Sequence, residues 1–251
     1  MKHWKWAVLG AAVILVGILR MDRAMPANGW GLSFQTPGAA PAAPVSQEKL
    51  SELDGAYLDP DGGKVLYLTF DAGYENGFTA EILDILKSRE VPAAFFLVGD
   101  YLERNPDLVR RMVAEGHIVG NHTMDHPDMS KADVATFTAQ ITQMEELYQE
   151  VTGQTLPKFY RPPQGLYSEE NLKMAQKLGY KTVFWSLAYA DWNDEVAPSD
   201  AKAMQILKDN THPGAIVLLH PTSAINVRIL GEMIRYWKGE GYTFHTLDEI
   251  Q

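Results

Sequence analysis

The stretch Tyr67-Leu68-Thr69-Phe70-Asp71 is a short apolar strand pattern that stops on a carboxylate, and the same layout recurs down the chain. His122, Arg161, Asp191 and His220 each follow an apolar or β-branched run. Polar groups at successive strand ends constrain the fold. In a barrel of alternating strands and helices the C-terminal strand ends converge on one face, so residues far apart in sequence meet over one substrate. The chain reads as an enzyme before anything else about it is known.

The rest of the pattern agrees. Strands are expected at 64–70, 93–98, 117–120, 158–160, 180–188, 215–219 and 242–246, and helices at 79–88, 106–115, 131–152, 168–178, 200–209 and 226–238. Gly116, Gly153 and Gly179 stand where three of these helices stop, as residues tolerant of left-handed backbone do. This alternation calls for a parallel sheet with crossover helices, here with about seven strands. A length of 251 residues suits a single α/β barrel domain.

Composition removes several function classes. A formal charge of −10 without a Lys/Arg cluster argues against a nucleic-acid surface. Without cysteine there is no disulfide, zinc–thiolate site or thiol nucleophile, and any metal must be held by His, Asp or Glu. At the N-terminus Lys2 and Lys5 precede an uncharged stretch from Trp6 to Leu19 closed by Arg20, the layout of a secretory signal. Residues 1–24 are therefore expected to be a signal peptide or membrane anchor, with no clear small-x-small cleavage site, and export is the expected localisation. Residues 25–48 are Pro/Ala-rich and expected to be a linker, leaving 49–251 as the catalytic domain. Membrane contact is expected only through the N-terminal segment.

His122 and His126 form an H-x3-H spacing, which would put two imidazoles on one side of a helical turn and suits a divalent cation. Asp71 is followed by Gly73 and Gly77, which let the backbone turn sharply at the mouth of a site; its bland alternative is a cap for the next helix, a task Thr79 could take instead. Two prolines fix the chain just after Arg161, which suits a guanidinium that must hold a carboxylate. His220 closes an apolar strand and can serve as a general acid if a carboxylate such as Asp191 keeps it protonated. Trp192 and Trp185 fit either the core or a sugar platform.

Taken in order, Thr-Phe-Asp at 69–71, His-x3-His at 122–126, Arg-x-Pro-x-Gly at 161–165, Asp-Trp at 191–192 and Leu-x-His at 218–220 resemble the polysaccharide deacetylase family with the NodB homology domain. Tyr67 to Gly77, Glu115 to His122, Arg161-Pro162-Pro163, Phe184 to Leu187 and His212 to Ile216 are similar to its δ-lactam-biosynthetic de-N-acetylase branch, and the likeness runs from about Trp30 to the C-terminus. The resemblance implies a distorted (β/α) TIM-like barrel that removes the acetyl group from N-acetylmuramic acid in peptidoglycan glycan strands, leading to the muramic δ-lactam of spore cortex. It further implies Asp71 as general base, His122 and His126 as ligands of a divalent cation (zinc, manganese, magnesium or cobalt), and Arg161 as the partner of Asp71. Asp191 would tune His220, the general acid, and Leu219 would line the acetyl pocket. Trp192 and Arg228 complete the expected substrate contacts, Arg228 as a cation for the lactyl carboxylate, and a monomer is expected. Many family members carry a second aspartate as a metal ligand where this chain has Ala72. A deacetylase of N-acetylglucosamine and a non-catalytic wall-glycan-binding protein remain the alternatives.

Overall fold

The computed structural model describes residues 28–193 and 197–250, so the expected leader or anchor at 1–24 lies outside the described residues. The strands are β1 (Asn28–Gly29), β2 (Gly55–Ala56), β3 (Val65–Ala72), β4 (Ala94–Leu97), β5 (Ile118–Asn121), β6 (Phe159–Tyr160), β7 (Leu166–Tyr167), β8 (Lys181–Val183), β9 (Ala215–Leu219) and β10 (Thr243–Phe244). The helices are α1 (Gln47–Ser51), α2 (Thr79–Ser88), α3 (Gly99–Arg104), α4 (Pro106–Ala114), α5 (Val134–Thr152), α6 (Glu169–Lys177), α7 (Asp200–Asn210) and α8 (Ala224–Gly239).

One sheet runs β10-β3-β4-β5-β6-β8-β2, with β9 also paired to β3, and every pairing in it is parallel. The expected strand at 180–188 is broken: β8 ends at Val183, and the chain then changes partner, so that Leu187 bridges Val217 of β9. Ser186 N–H donates to the Ile216 carbonyl at 2.9 Å, and its hydroxyl oxygen accepts from Ile216 N–H at 3.2 Å. Because the Asn210 carbonyl can only accept, His212 donates to it through Nδ1 and receives the Ser186 hydroxyl at Nε2, at 3.0 Å. This buried cluster closes the sheet on itself. The distorted parallel barrel expected from the sequence is the fold observed.

Strand β3 shows how the barrel aims its chemistry. Leu66, Leu68, Phe70 and Ala72 belong to the outer cluster beneath the helices, whereas Tyr67 packs with Ala94, Phe96, Val183 and Ile216 inside the barrel. The two-residue period of a strand therefore puts Thr69 and Asp71 on the interior side with Tyr67. Burying each large apolar side chain of this kind, Phe70 or Trp237 for example, contributes ~1.5–3 kcal/mol over leaving it exposed.

The segment expected as a linker is folded onto the domain from Asn28 onward. Strand β1 pairs antiparallel with β7, Ser33 bridges Ala42, and Trp30 and Val45 are buried in a cluster with Leu50, Tyr57, Tyr167 and Phe184. Its prolines and alanines suggested a spacer, but Trp30 offers a large apolar surface that docking buries. Among the described residues no helix is long and apolar enough to cross a membrane.

Candidate active site

The C-terminal ends of β3, β5, β6 and β9 open on a cavity of about 510 Å³ lined by Trp30, Asp71, His122, His126, Gln164, Gly165, Trp185, Trp192, Leu218 and His220. Asp71 sits near the end of β3 and is 8% exposed. It does not cap α2; the Glu75 carboxylate takes that part, accepting from Thr79 N–H at 3.4 Å. Instead Arg161, fully buried just after β6, donates from Nη1 to Asp71 Oδ1 at 2.7 Å. The guanidinium is itself pinned by donation to the carbonyls of Val183 and Phe184, at 2.9 and 3.2 Å, and stands 4.2 Å from the Phe96 ring centre. Burial alone would raise the Asp71 pKa. The charge of Arg161 outweighs it, with His220 adding to it, and holds the carboxyl below the ordinary carboxylate value.

His122 follows β5, whose last residue anchors the turn: Asn121 Oδ1 accepts from Thr123 N–H at 2.9 Å, and Thr123 Oγ1 accepts from His126 N–H at 3.0 Å. The turn is not helical, contrary to the reading of the spacing. Thr123 and His126 have φ of 71° and 56°, and this left-handed backbone brings the two rings to 4.9 Å between centres. His122 Nδ1 lies 2.8 Å from the Arg161 carbonyl, so it carries the proton and Nε2 carries a lone pair. Burial pushes the His122 pKa down to about 4, so the ring is neutral at neutral pH. Nε2 then faces Asp71 Oδ2 across 3.7 Å, two electron-rich atoms with no proton between them.

His220, immediately after β9, is held differently. Its Nδ1 donates to Asp191 Oδ1 at 2.7 Å, its backbone N–H to Asp191 Oδ2 at 2.7 Å, and Asn226 Nδ2 donates to Asp191 Oδ2 at 2.6 Å and to the His220 carbonyl at 2.9 Å. Tyr189 OH completes the set by donating to Asn226 Oδ1 at 2.5 Å. Burial alone would depress the His220 pKa, but the hydrogen bond and charge of Asp191 outweigh it and raise it above the usual histidine value.

The structure thus brings together Asp71, His122, His126, Arg161, Asp191 and His220. Trp192 lines the cavity while 60% exposed, its ring 6.1 Å from that of His220, and so is no core residue. Two expected contacts are corrected. Leu219 points to the outer cluster, and Leu218 lines the cavity: on a strand, a shift of one residue changes the face. Arg228 does not line the cavity; from α8 it reaches α7, donating through Nε and Nη2 to Asp200 at 2.7 Å each. Trp30, Gln164 and Asn226 were given no role from the sequence, although Trp30 opens the stretch of family likeness and Gln164 stands at a variable position of Arg-x-Pro-x-Gly. Ala72 is fully buried in the outer cluster. Among the described residues no group of three or more His, Asp or Glu is placed to hold a metal ion.

A strand-end carboxylate whose ionised form is favoured, across one cavity from a strand-end imidazole whose protonated form is favoured, is acid–base equipment for hydrolysis. The sequence comparisons agree with that class. Residues 59–183 match the family model for polysaccharide deacetylase. The chain is 37% identical to the peptidoglycan-N-acetylmuramic acid deacetylase PdaA of Bacillus subtilis over 98% of this chain and 95% of that protein. The solved structure of Bacillus subtilis PdaA, a family 4 carbohydrate esterase, superposes with a TM-score of 0.84 at 37% identity, covering 89% of this chain and 96% of that one. A family 4 pseudoenzyme from Bacillus anthracis is also similar, with 28% identity and a TM-score of 0.73 over 78% of this chain and 70% of that one. The chain belongs to the polysaccharide deacetylase family, and it is a hydrolase of that kind.

Proposed function

We propose that the protein removes the acetyl group from N-acetylmuramic acid residues of peptidoglycan, outside the cytoplasm, supplying the free amine from which muramic δ-lactam forms. One observation carries the chemistry: Asp71 and His220, whose pKa values are displaced in opposite directions, line the same cavity. The choice of muramic acid rests on the likeness to PdaA over nearly the whole chain.

In this reading Asp71 accepts the proton of the water that attacks the acetyl carbonyl, and Arg161 keeps the carboxylate ionised and aimed. His220 gives the proton at Nε2 to the departing nitrogen as the C–N bond breaks and acetate leaves, while Asp191 stabilises the imidazolium beforehand. Leu218 faces the acetyl methyl, and Trp185 and Trp192 flank the sugar.

His122 and His126 fit a divalent cation. The lone pair on His122 Nε2, fixed by its partner's proton donation to a carbonyl, faces an ionised carboxylate oxygen, a pair that a cation would relieve. Bound there, the ion supplies Lewis acidity to the acetyl carbonyl. With Ala72 in the outer cluster, two histidines and water leave modest affinity and little selectivity among zinc, manganese, magnesium and cobalt.

The likeness to a pseudoenzyme, together with Ala72, favours a second reading, a non-catalytic glycan-binding protein. Incubating the purified protein, with divalent cation, on peptide-free glycan strands separates the two. New free amino sugars at muramic positions, found by mass, are the expected result; binding without any acetate release supports the second reading.

A further inference from the structure

We infer that the N-terminal segment belongs to the active site: Trp30 is a positioning residue that fixes, through Gly165, the turn from which Gln164 recognises the lactyl-bearing C3 side of the sugar. This rests on the muramic reading above and names the residue that reads the substituent.

A lactyl carboxylate requires a donor, and the obvious cations are unavailable. Arg161 is committed to Asp71 inside the barrel, and Arg228 lies away from the cavity against Asp200. Apart from Asp71, the three histidines and the indoles, Gln164 is the polar side chain lining the cavity among the described residues. It is exposed, and its amide enters no hydrogen bond among them. Its backbone is also costly, with φ of 57°, a left-handed conformation that glutamine seldom adopts and that persists only where the surroundings impose it.

The surroundings that impose it come from the N-terminal segment. Trp30 N–H donates to the Gly165 carbonyl at 2.8 Å, and β1 pairs with β7 directly beyond the turn. The Trp30 ring stacks on Phe184 at 4.2 Å, and its Nε1–H donates to the Trp185 carbonyl at 2.9 Å. Gly165, with φ of 66°, is wedged between them: a Cβ there would come 2.8 Å from Trp185 Cη2 and 2.9 Å from Trp30 Cβ. Remove the indole and the turn keeps Trp30 Cβ and its main-chain clamp, but its other wall, Trp185, loses the Nε1–H hydrogen bond to its carbonyl that holds it in place. The Gln164 amide then loses its fixed position, while Asp71 and His220, on β3 and after β9, stay where they are.

The test is the ratio of kcat/KM on peptide-free glycan strands, scored at muramic residues, to that on an N-acetylglucosamine oligomer. Wild type should favour the former. Gln164→Gly, which removes the amide and suits the left-handed backbone, should cut the ratio about tenfold, chiefly through KM. Trp30→Ala should cut it similarly, Trp30→Phe should keep most of it by retaining the stacked ring, and the Trp30→Ala/Gln164→Gly double variant should discriminate no worse than either single one. A merely structural Trp30 would lower the melting temperature and leave the ratio intact, and that result overturns the inference; so does an unchanged ratio in Gln164→Gly. Wild type preferring the N-acetylglucosamine oligomer overturns the muramic reading itself, and is visible without any variant.

Discussion

The two sides of the cavity hold their working groups by opposite means. Around His220 every partner is satisfied within the protein: Asp191, Asn226 and Tyr189 form a closed chain of hydrogen bonds, each donor meeting an acceptor. Across the cavity Asp71 is paired on one oxygen by Arg161, while its other oxygen faces an imidazole nitrogen that has no proton to give. One side is complete in the polypeptide, and the other calls for a cation. The acid side should therefore survive changes of solution conditions that disable the base side.

The strongest tests strike the two proton carriers. Asp71→Asn and His220→Ala should each lower turnover by on the order of 10²- to 10⁴-fold with little change in glycan affinity, since both act in the transition state. Steady-state kinetics alongside a binding isotherm check this, and a variant that loses binding as much as turnover would count against these roles. Next in size is the cation. A chelator should abolish activity and added zinc, manganese, magnesium or cobalt restore it, while the His122→Ala/His126→Ala variant should not be rescued. Full activity after exhaustive chelation would erase the contrast between the two sides.

How far the sequence reached follows the same division. Strand ends were legible, because an apolar run stopping on a polar residue places that residue on the barrel face whatever surrounds it: Asp71, His122 and His220 line the cavity, with Arg161 buried behind Asp71 and bonded to it. Facing was less so: Leu219 was expected where Leu218 stands, since a terminal strand residue can be assigned to either side by a shift of one. The H-x3-H spacing suggested a helical turn because spacing carries no sign of φ, and Thr123 and His126 are left-handed. Trp30 and Gln164 were hidden for another reason. Their roles come from β1 pairing with β7 across the chain, and a Pro/Ala-rich composition gave no sign that the segment docks.

A smaller effect distinguishes what tunes the acid from what carries out the reaction. Asp191 holds the His220 pKa above its ordinary value of about 6.5, so the acid keeps its proton to higher pH than a free imidazole would, and kcat/KM should fall as pH rises through that raised pKa. Asp191→Asn removes the charge that chiefly opposes burial and leaves only the lesser pull of Asp71 against it, so the alkaline limb should move to lower pH, with activity at pH below 6 least affected. The sign for stability is the same. A raised histidine pKa contributes stability that is fully present below the unfolded value and lost as pH climbs through the folded one, so the variant's deficit in melting temperature should be larger at pH 6 than at pH 9. An alkaline limb unmoved by Asp191→Asn would assign it to another group.

The smallest expected change, and the one that joins the two sides, is at Ala72. Its methyl is fully buried in the outer apolar cluster, beside the residue that faces the cavity. Ala72→Asp puts a carboxylate where burial without a partner costs stability, so in chelator the melting temperature should drop by several degrees. If the strand end can twist to bring the new carboxylate to a cation placed at His122 and His126, added cation should raise the melting temperature of the variant more than that of wild type, because binding to the folded state alone stabilises by mass action. Equal cation-induced shifts in the two proteins would mean that the outward-facing position is fixed by packing and that the base side of this cavity works with two histidines and water.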